Sequence, residues 1–218
     1  MKKQAGFTLV EIAIVLVIIG LLLGGVLKGQ ELITQAKIKN VSNDLNGVIA
    51  AIYGYQDRYK RLPGDDAGQT RWTVAGAALA VAADQGDSDN IIEGTYSSTT
   101  NTDETRKFWL NLRLAGFVAG STATIAEGST QPLNAAGGIM GVQSGGLGLT
   151  GTIICSGSLS AKIAQALDAQ MDDGNATTGS VRALIEGTPP TAVPAALPGG
   201  AANYVDNGTN LYILCKNI

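Results

Sequence analysis

Apolar and polar positions divide this chain into two regimes. From Phe7 to Leu27 an apolar run carries one charge, Glu11, and Lys2 and Lys3 stand ahead of it. About twenty residues in a helix, at roughly 1.5 Å each, match a hydrocarbon core of roughly 30 Å. From Lys28 onward the chain turns polar, with no turn signal before Leu62-Pro63-Gly64. Over this stretch Ile38, Val41, Leu45, Val48, Ile52, Tyr55 and Tyr59 recur at steps of three and four. The pattern predicts one helix from Phe7 to Arg61, about 80 Å long. Residues 7–27 are apolar all round, and residues 28–61 carry an apolar stripe on which a globular head, residues 62–218, can pack. Gly24, Gly25 and Gly29 weaken the junction, because glycine costs up to about 1 kcal/mol in a helix interior. Local melting and a flexible neck both fit that weakness.

Past the helix, Pro63-Gly64-Asp65-Asp66 reads as a stop. Residues 75–83 are alanine-rich and fit either a short helix or a loop, and an acidic loop follows over 84–101. Thr102-Asp103-Glu104 opens a second helix, with Phe108, Trp109, Leu112 and Ala115 as its apolar face and Gly116 as its cap. Residues 116–151 are rich in glycine, serine and threonine and predict connecting loops with short strands. Leu147–Cys155, Ser180–Glu186 and Leu211–Cys215 read as strands. Ser158 caps a third helix in which Leu159, Ile163, Leu167 and Met171 share a side, ended by Asp172-Asp173-Gly174. The proline-spaced segment 187–200 reads as an extended surface loop. The fold class is therefore α+β, a small, mostly antiparallel sheet laid on the amphipathic half of the long helix.

Composition narrows the function. The 218 residues suffice for one head beyond the anchor. A charged fraction of only 15% and 29 glycines suit a loop-rich exported domain better than a cytosolic enzyme. There is no histidine, which removes the commonest general base and metal ligand. No catalytic constellation is legible, and the chain reads as a protein other than an enzyme. The net charge is −3 and becomes more acidic if Lys2 and Lys3 are removed, so nucleic acid is not an expected partner. Cys155 and Cys215 fit one disulfide, tying the last strand to an earlier one and worth roughly 4 kcal/mol on the chain-entropy model. Two free buried thiols are the other reading, and zinc would be underligated.

The order of small and apolar residues at the N-terminus is the decisive feature. A secretory signal peptide places small residues after its apolar core, whereas Ala5 and Gly6 precede it here. The run KKQAGFTLVE, with Gly6, Phe7 and Glu11 and the apolar segment behind them, resembles the class III signal of type IV prepilins and type II secretion pseudopilins. That resemblance implies a leader of residues 1–6, cut between Gly6 and Phe7 by a prepilin peptidase on the cytoplasmic side, with N-methylation of Phe7. It also implies that Glu11 pairs in a filament with the terminal amine of an adjacent subunit. A buried carboxylate and a buried ammonium each pay heavy desolvation unless they meet, so such a pair penalises a subunit out of register. An ordinary signal anchor with an interfacial glutamate explains neither the leader nor the position of Glu11. Many pilins carry a proline where the membrane segment ends, and this chain has the glycines instead. Farther on, LPGDD, FWLNLRLAGF and LDAQMDDG loosely resemble the heads of some prepilin-type proteins.

Other clusters have competing readings. Asp84, Asp87, Asp89 and Glu93, with Gly86 among them, offer hard oxygen ligands of the kind calcium takes. Their spacing is not that of an EF-hand, some pseudopilins bind calcium in their heads, and a solvated acidic loop is the alternative. Asp172-Asp173 reads first as a helix terminus. Tyr53, Tyr55 and Tyr59 with Arg58, Lys60 and Arg61 mix aromatics and cations as a strand-binding surface does, but two of the tyrosines lie on the apolar stripe and suit core packing. Gly137-Gly138 and Gly145-Gly146 lack a following Lys-Ser/Thr and imply no phosphate loop. Apart from calcium, no cofactor is implied.

The expectation is a structural subunit of a type IV pilus or pseudopilus, made as an inner-membrane precursor and assembled into a periplasmic or extracellular filament. Open head-to-tail contacts generate such a filament. Its partners would be copies of itself, the prepilin peptidase and an inner-membrane assembly platform. Major pilin, minor pilin and secretion pseudopilin all remain open. The reading of a different class is a membrane-tethered binding or adhesin domain that does not polymerise.

Overall fold

A computed structural model describes residues 8–74, the backbone of 77–78, and residues 86–187, 192–199 and 201–218. One helix, α1 (Leu9–Tyr59), dominates it with 51 residues, about 75 Å at the usual rise. It passes through Gly24, Gly25 and Gly29 without interruption. It stops at Lys60, which takes a left-handed backbone (φ 55°) and donates its N–H to the Gln56 carbonyl, so the chain has left the helix before Pro63 arrives. The stripe is where the periodicity puts it. Val41, Leu45, Val48, Ile52 and Tyr55 are buried, and Ile38 and Tyr59 pack at its border. Below that border the large apolar side chains from Leu9 to Ile33 are exposed.

The head is α+β. Its sheet contains β3 (Met140–Gly146), β4 (Leu149–Ser160), β5 (Val181–Ile185) and β6 (Leu211–Asn217), in the order β3-β4-β6-β5 with every neighbouring pair antiparallel. Around it stand α2 (Glu104–Leu114), the single turn α3 (Ile125–Gly128) and α4 (Ala161–Met171). A small separate ribbon pairs β1 (Thr73–Val74) with β2 (Ala77–Ala78). Strand alternation gives the sheet two apolar faces. Ile154, Tyr212 and Leu214 face the core formed with α1, α2 and α4. Ile153, Cys155, Ile213 and Cys215 form a second cluster with Tyr96 and Val193.

The proline-spaced segment, expected as a surface loop, is irregular and largely exposed over its described residues 192–199, and it also covers part of that second face. Val193 is buried, and the Leu147 and Gly148 N–H groups donate to the Pro194 and Ala195 carbonyls at 2.7 and 2.8 Å. An apolar sheet face needs a cover, and the described residues 192–199 supply part of it. β3 lies in the stretch expected to form connecting loops with short strands; its glycines permit close approach, and a Cβ at Gly141 would lie 2.1 Å from the Tyr96 carbonyl oxygen. Two boundaries move. β4 continues to Ser160, so Ser160 and not Ser158 precedes α4. Ser158 instead sits at a β-bulge with a left-handed backbone (φ 56°). The close of α2 follows expectation: Gly116 has φ 80°, its N–H donates to the Arg113 carbonyl, and the Phe117 N–H donates to that of Leu112, the paired bonds of a Schellman cap. Of the alanine-rich stretch 75–83, residues 77–78 are strand, and the rest lies outside the described residues.

Candidate functional site

Gly6 and Phe7, the residues of the expected cleavage, lie outside the described residues, and the description begins at Thr8. Thr8 caps α1. The Glu11 N–H donates to the Thr8 Oγ1 at 3.3 Å, and Glu11 Oε2 accepts from the Thr8 N–H and hydroxyl, both at 2.8 Å. This is a reciprocal capping box, which satisfies two of the donors that a helix start leaves unpaired. Glu11 therefore has a partner within its own chain. The spacing Thr8-Leu9-Val10-Glu11 carries that signal, and reading Glu11 only as an unpaired charge in an apolar segment misses it. Behind the box, Leu9 to Leu27 form an apolar cylinder with no cover from the head, long enough to cross a membrane.

The head contains a second organised cluster. Of the four carboxylates read as a calcium set, Asp84 lies outside the described residues, while Asp87, Asp89 and Glu93 bring carboxylate oxygens within 4.8 Å of one another. The structure adds two acids that sequence spacing does not connect to them. Asp65 and Glu104 are both buried, and together with Asp87 they form another such group. They hold the loop by its backbone. Asp65 accepts from the N–H groups of Ser88, Asp89 (3.2 Å) and Asn90 (2.7 Å), and Glu104 accepts from those of Asp87 and Glu93, both at 3.2 Å. Burial, then the neighbouring Glu93 carboxyl, pushes the Glu104 carboxyl up to about 8. Burial also raises Asp65. The oxygens suit a hard cation in kind, but on Asp65 and Glu104 they already serve loop amides. In the LPGDD and TDE segments these two acids read as a helix stop and a helix start, and only the tertiary fold brings them together.

Asp172 and Asp173 act as loop anchors in the same way. Asp172 accepts from the N–H groups of Ser180 and Val181, and Asp173 from the Asn175 N–H and the Thr178 hydroxyl. The tyrosine and cation cluster is largely packing. Tyr55 is fully buried and donates its hydroxyl to Asp66 at 2.6 Å, and the Arg71 guanidinium pairs with Asp66. Arg71 lies 4.5 and 4.6 Å from the ring centres of Tyr59 and Trp72. Cys155 and Cys215 are direct register partners on β4 and β6, form a disulfide and are fully buried.

Comparison with known proteins bears on the first of these sites. Residues 1–27 match the model of the prokaryotic N-terminal methylation motif, the class III signal of type IV pilins and pseudopilins. No curated protein matches the chain.

Proposed function

From the methylation motif of residues 1–27, we propose that this chain is a structural subunit of a type IV pilus or type II secretion pseudopilus. Prepilin peptidase cuts it between Gly6 and Phe7 and methylates Phe7. The subunit waits in the inner membrane, anchored by its apolar helix, until an assembly platform draws it into a periplasmic or extracellular filament. The observation that carries this reading is the contrast along α1. Val41 to Tyr55 are covered by the head, while the apolar side chains from Leu9 to Leu27 have no cover from their own chain. In the precursor, lipid supplies the missing cover. In a filament, the same segments of neighbouring subunits supply it, and each Glu11 exchanges part of its capping role for the amine of an adjacent Phe7.

Shearing cells that express the full chain, then sedimenting the supernatant and imaging the pellet, tests this reading. The expected result is fibres containing the chain. A chain that stays wholly with the membrane under conditions where the assembly platform is active would instead identify a tethered binding or adhesin domain.

A further inference from the structure

The base of the head carries charge opposite to that of the chain as a whole. The net charge is −3, yet just past the apolar run Lys28, Lys37 and Lys39 face one acid, Glu31, which Lys28 already pairs at 2.7 Å. The fold adds a fourth lysine at this level. Lys162 and Ala166 of α4 line a groove of about 490 Å³ with the face of α1 from Leu27 to Ile38, where the one acid, Glu31, is neutralised by Lys28 and leaves Lys162 as the unpaired charge of the lining. Gln170, two turns further along α4, lines the next groove with Lys39, Ser42 and Asn43. Thus α4 runs alongside α1, and its Lys162 end shares a groove with Leu27, the last residue of the apolar run. Lys37, Lys39 and Lys162 have no ion-pair partner among the described residues.

If Leu9 to Leu27 span the bilayer, Leu27 marks the edge of the hydrocarbon, so the lower end of the groove stands at the depth of the headgroups, while Lys37 and Lys39, about 15 to 18 Å further along α1, stand over the headgroup layer. Lysines on the translocated flank of a membrane helix run against the usual bias, which keeps them on the cytoplasmic side. Their concentration there, under an acidic head, calls for a local partner, and a phosphate-bearing surface has the complementary charge. We propose that this groove, with Lys162 in its wall and Lys39 in the wall of the next, seats the base of the head on the phospholipid headgroups of the adjacent leaflet, so that the unassembled subunit stands docked on the membrane. The inference rests on the membrane-anchored reading of α1 and adds a recognition surface to it. Each lysine near an anionic surface strengthens such docking about five-fold. Drawing the subunit into a filament breaks these contacts.

The test uses the full chain, one copy per nanodisc, with amide hydrogen exchange followed along residues 28–39 and 161–171. Discs of phosphatidylglycerol and phosphatidylethanolamine are compared with discs of digalactosyldiacylglycerol, which carries no phosphate. The expected result is exchange at the start of α4 slowed several-fold in the phospholipid discs. Lys162→Gln should weaken that protection, and Lys162→Glu with Lys39→Glu should abolish it. Lys60→Glu, at the far end of α1, should leave it intact, and unchanged exchange in β4 and β6 would show that the head remains folded. Equal exchange in the two kinds of disc overturns the proposal. So does protection that appears only with two copies per disc, which would make a second chain the occupant, or protection restored in galactolipid discs by inorganic phosphate alone, which would make it an ion site. Failure of the chain to stay in either disc would instead refute the anchor reading.

Discussion

Glu11 has two possible partners, and they are separable by chemistry. In the single chain it completes the capping box with Thr8, an arrangement whose loss costs about 1 kcal/mol. In a filament, removing one partner of a buried ion pair costs on the order of 3 to 5 kcal/mol. Glutamine can close the same box but has no charge. Glu11→Gln should therefore leave membrane levels and cleavage as they are while filament yield falls sharply, and Glu11→Leu should lose the cap as well. Quantitative blots of membrane and sheared fractions would check this. Normal filament yield from Glu11→Gln would make Glu11 a helix cap and remove the charge-pairing account. The capping half of this role is legible in the four letters TLVE once the helix start is known. The pairing half comes from the resemblance and from the desolvation argument.

Elements repeat the same division between local and long-range signals. The stripe of α1 and the glycine cap of α2 are legible because helix contacts are local, and a step of three or four residues reports them directly. The exact extent of β3 is not legible in this way. Its residues Met140–Gly146 contain three glycines, and it is a strand because Ile154 and Cys155 lie across from Val142 and Gly141 on β4, a fact of pairing and not of pattern. The clasp on the acidic loop is hidden for the same reason, since Asp65 and Glu104 lie far apart in sequence from much of what they hold. The clasp predicts a pH dependence. An unfolded glutamate titrates near 4.5 and the folded Glu104 near 8, so between those values the folded chain holds one more proton and stability falls as pH rises. Thermal unfolding of the full chain in detergent should show a midpoint that drops from about pH 5 to about pH 8, and Glu104→Gln should flatten that slope. An unaltered slope in the variant would exclude Glu104 as its source. The disulfide makes a second prediction. β6 lies between β4 and β5, so the bridge pins the centre of the sheet and not an edge. Cys155→Ala with Cys215→Ala should cost about 2 to 5 kcal/mol in denaturant unfolding, with β4, β5 and β6 losing exchange protection together. Fraying confined to the C-terminal residues would contradict this.

For the whole molecule, the fold amounts to a head that covers one half of a rod and leaves the other half bare. The bare half is compatible with lipid and with copies of itself, and N-terminal processing is what would distinguish a subunit in transit from a permanent anchor. The long helix with its apolar and amphipathic halves, and the α+β class of the head, are readable from hydrophobic periodicity. The two-faced burial of the sheet is not, because residues 192–199 and Tyr96 cover its second face from distant parts of the chain. The most direct measurement of the central claim is the intact mass and N-terminal sequence of the chain recovered from sheared, sedimented fibres. The account predicts a polypeptide that begins at Phe7 and carries one added methyl group. Fibres built from chains that still begin at Met1, or that begin at Phe7 with a free unmethylated amine throughout, would contradict it.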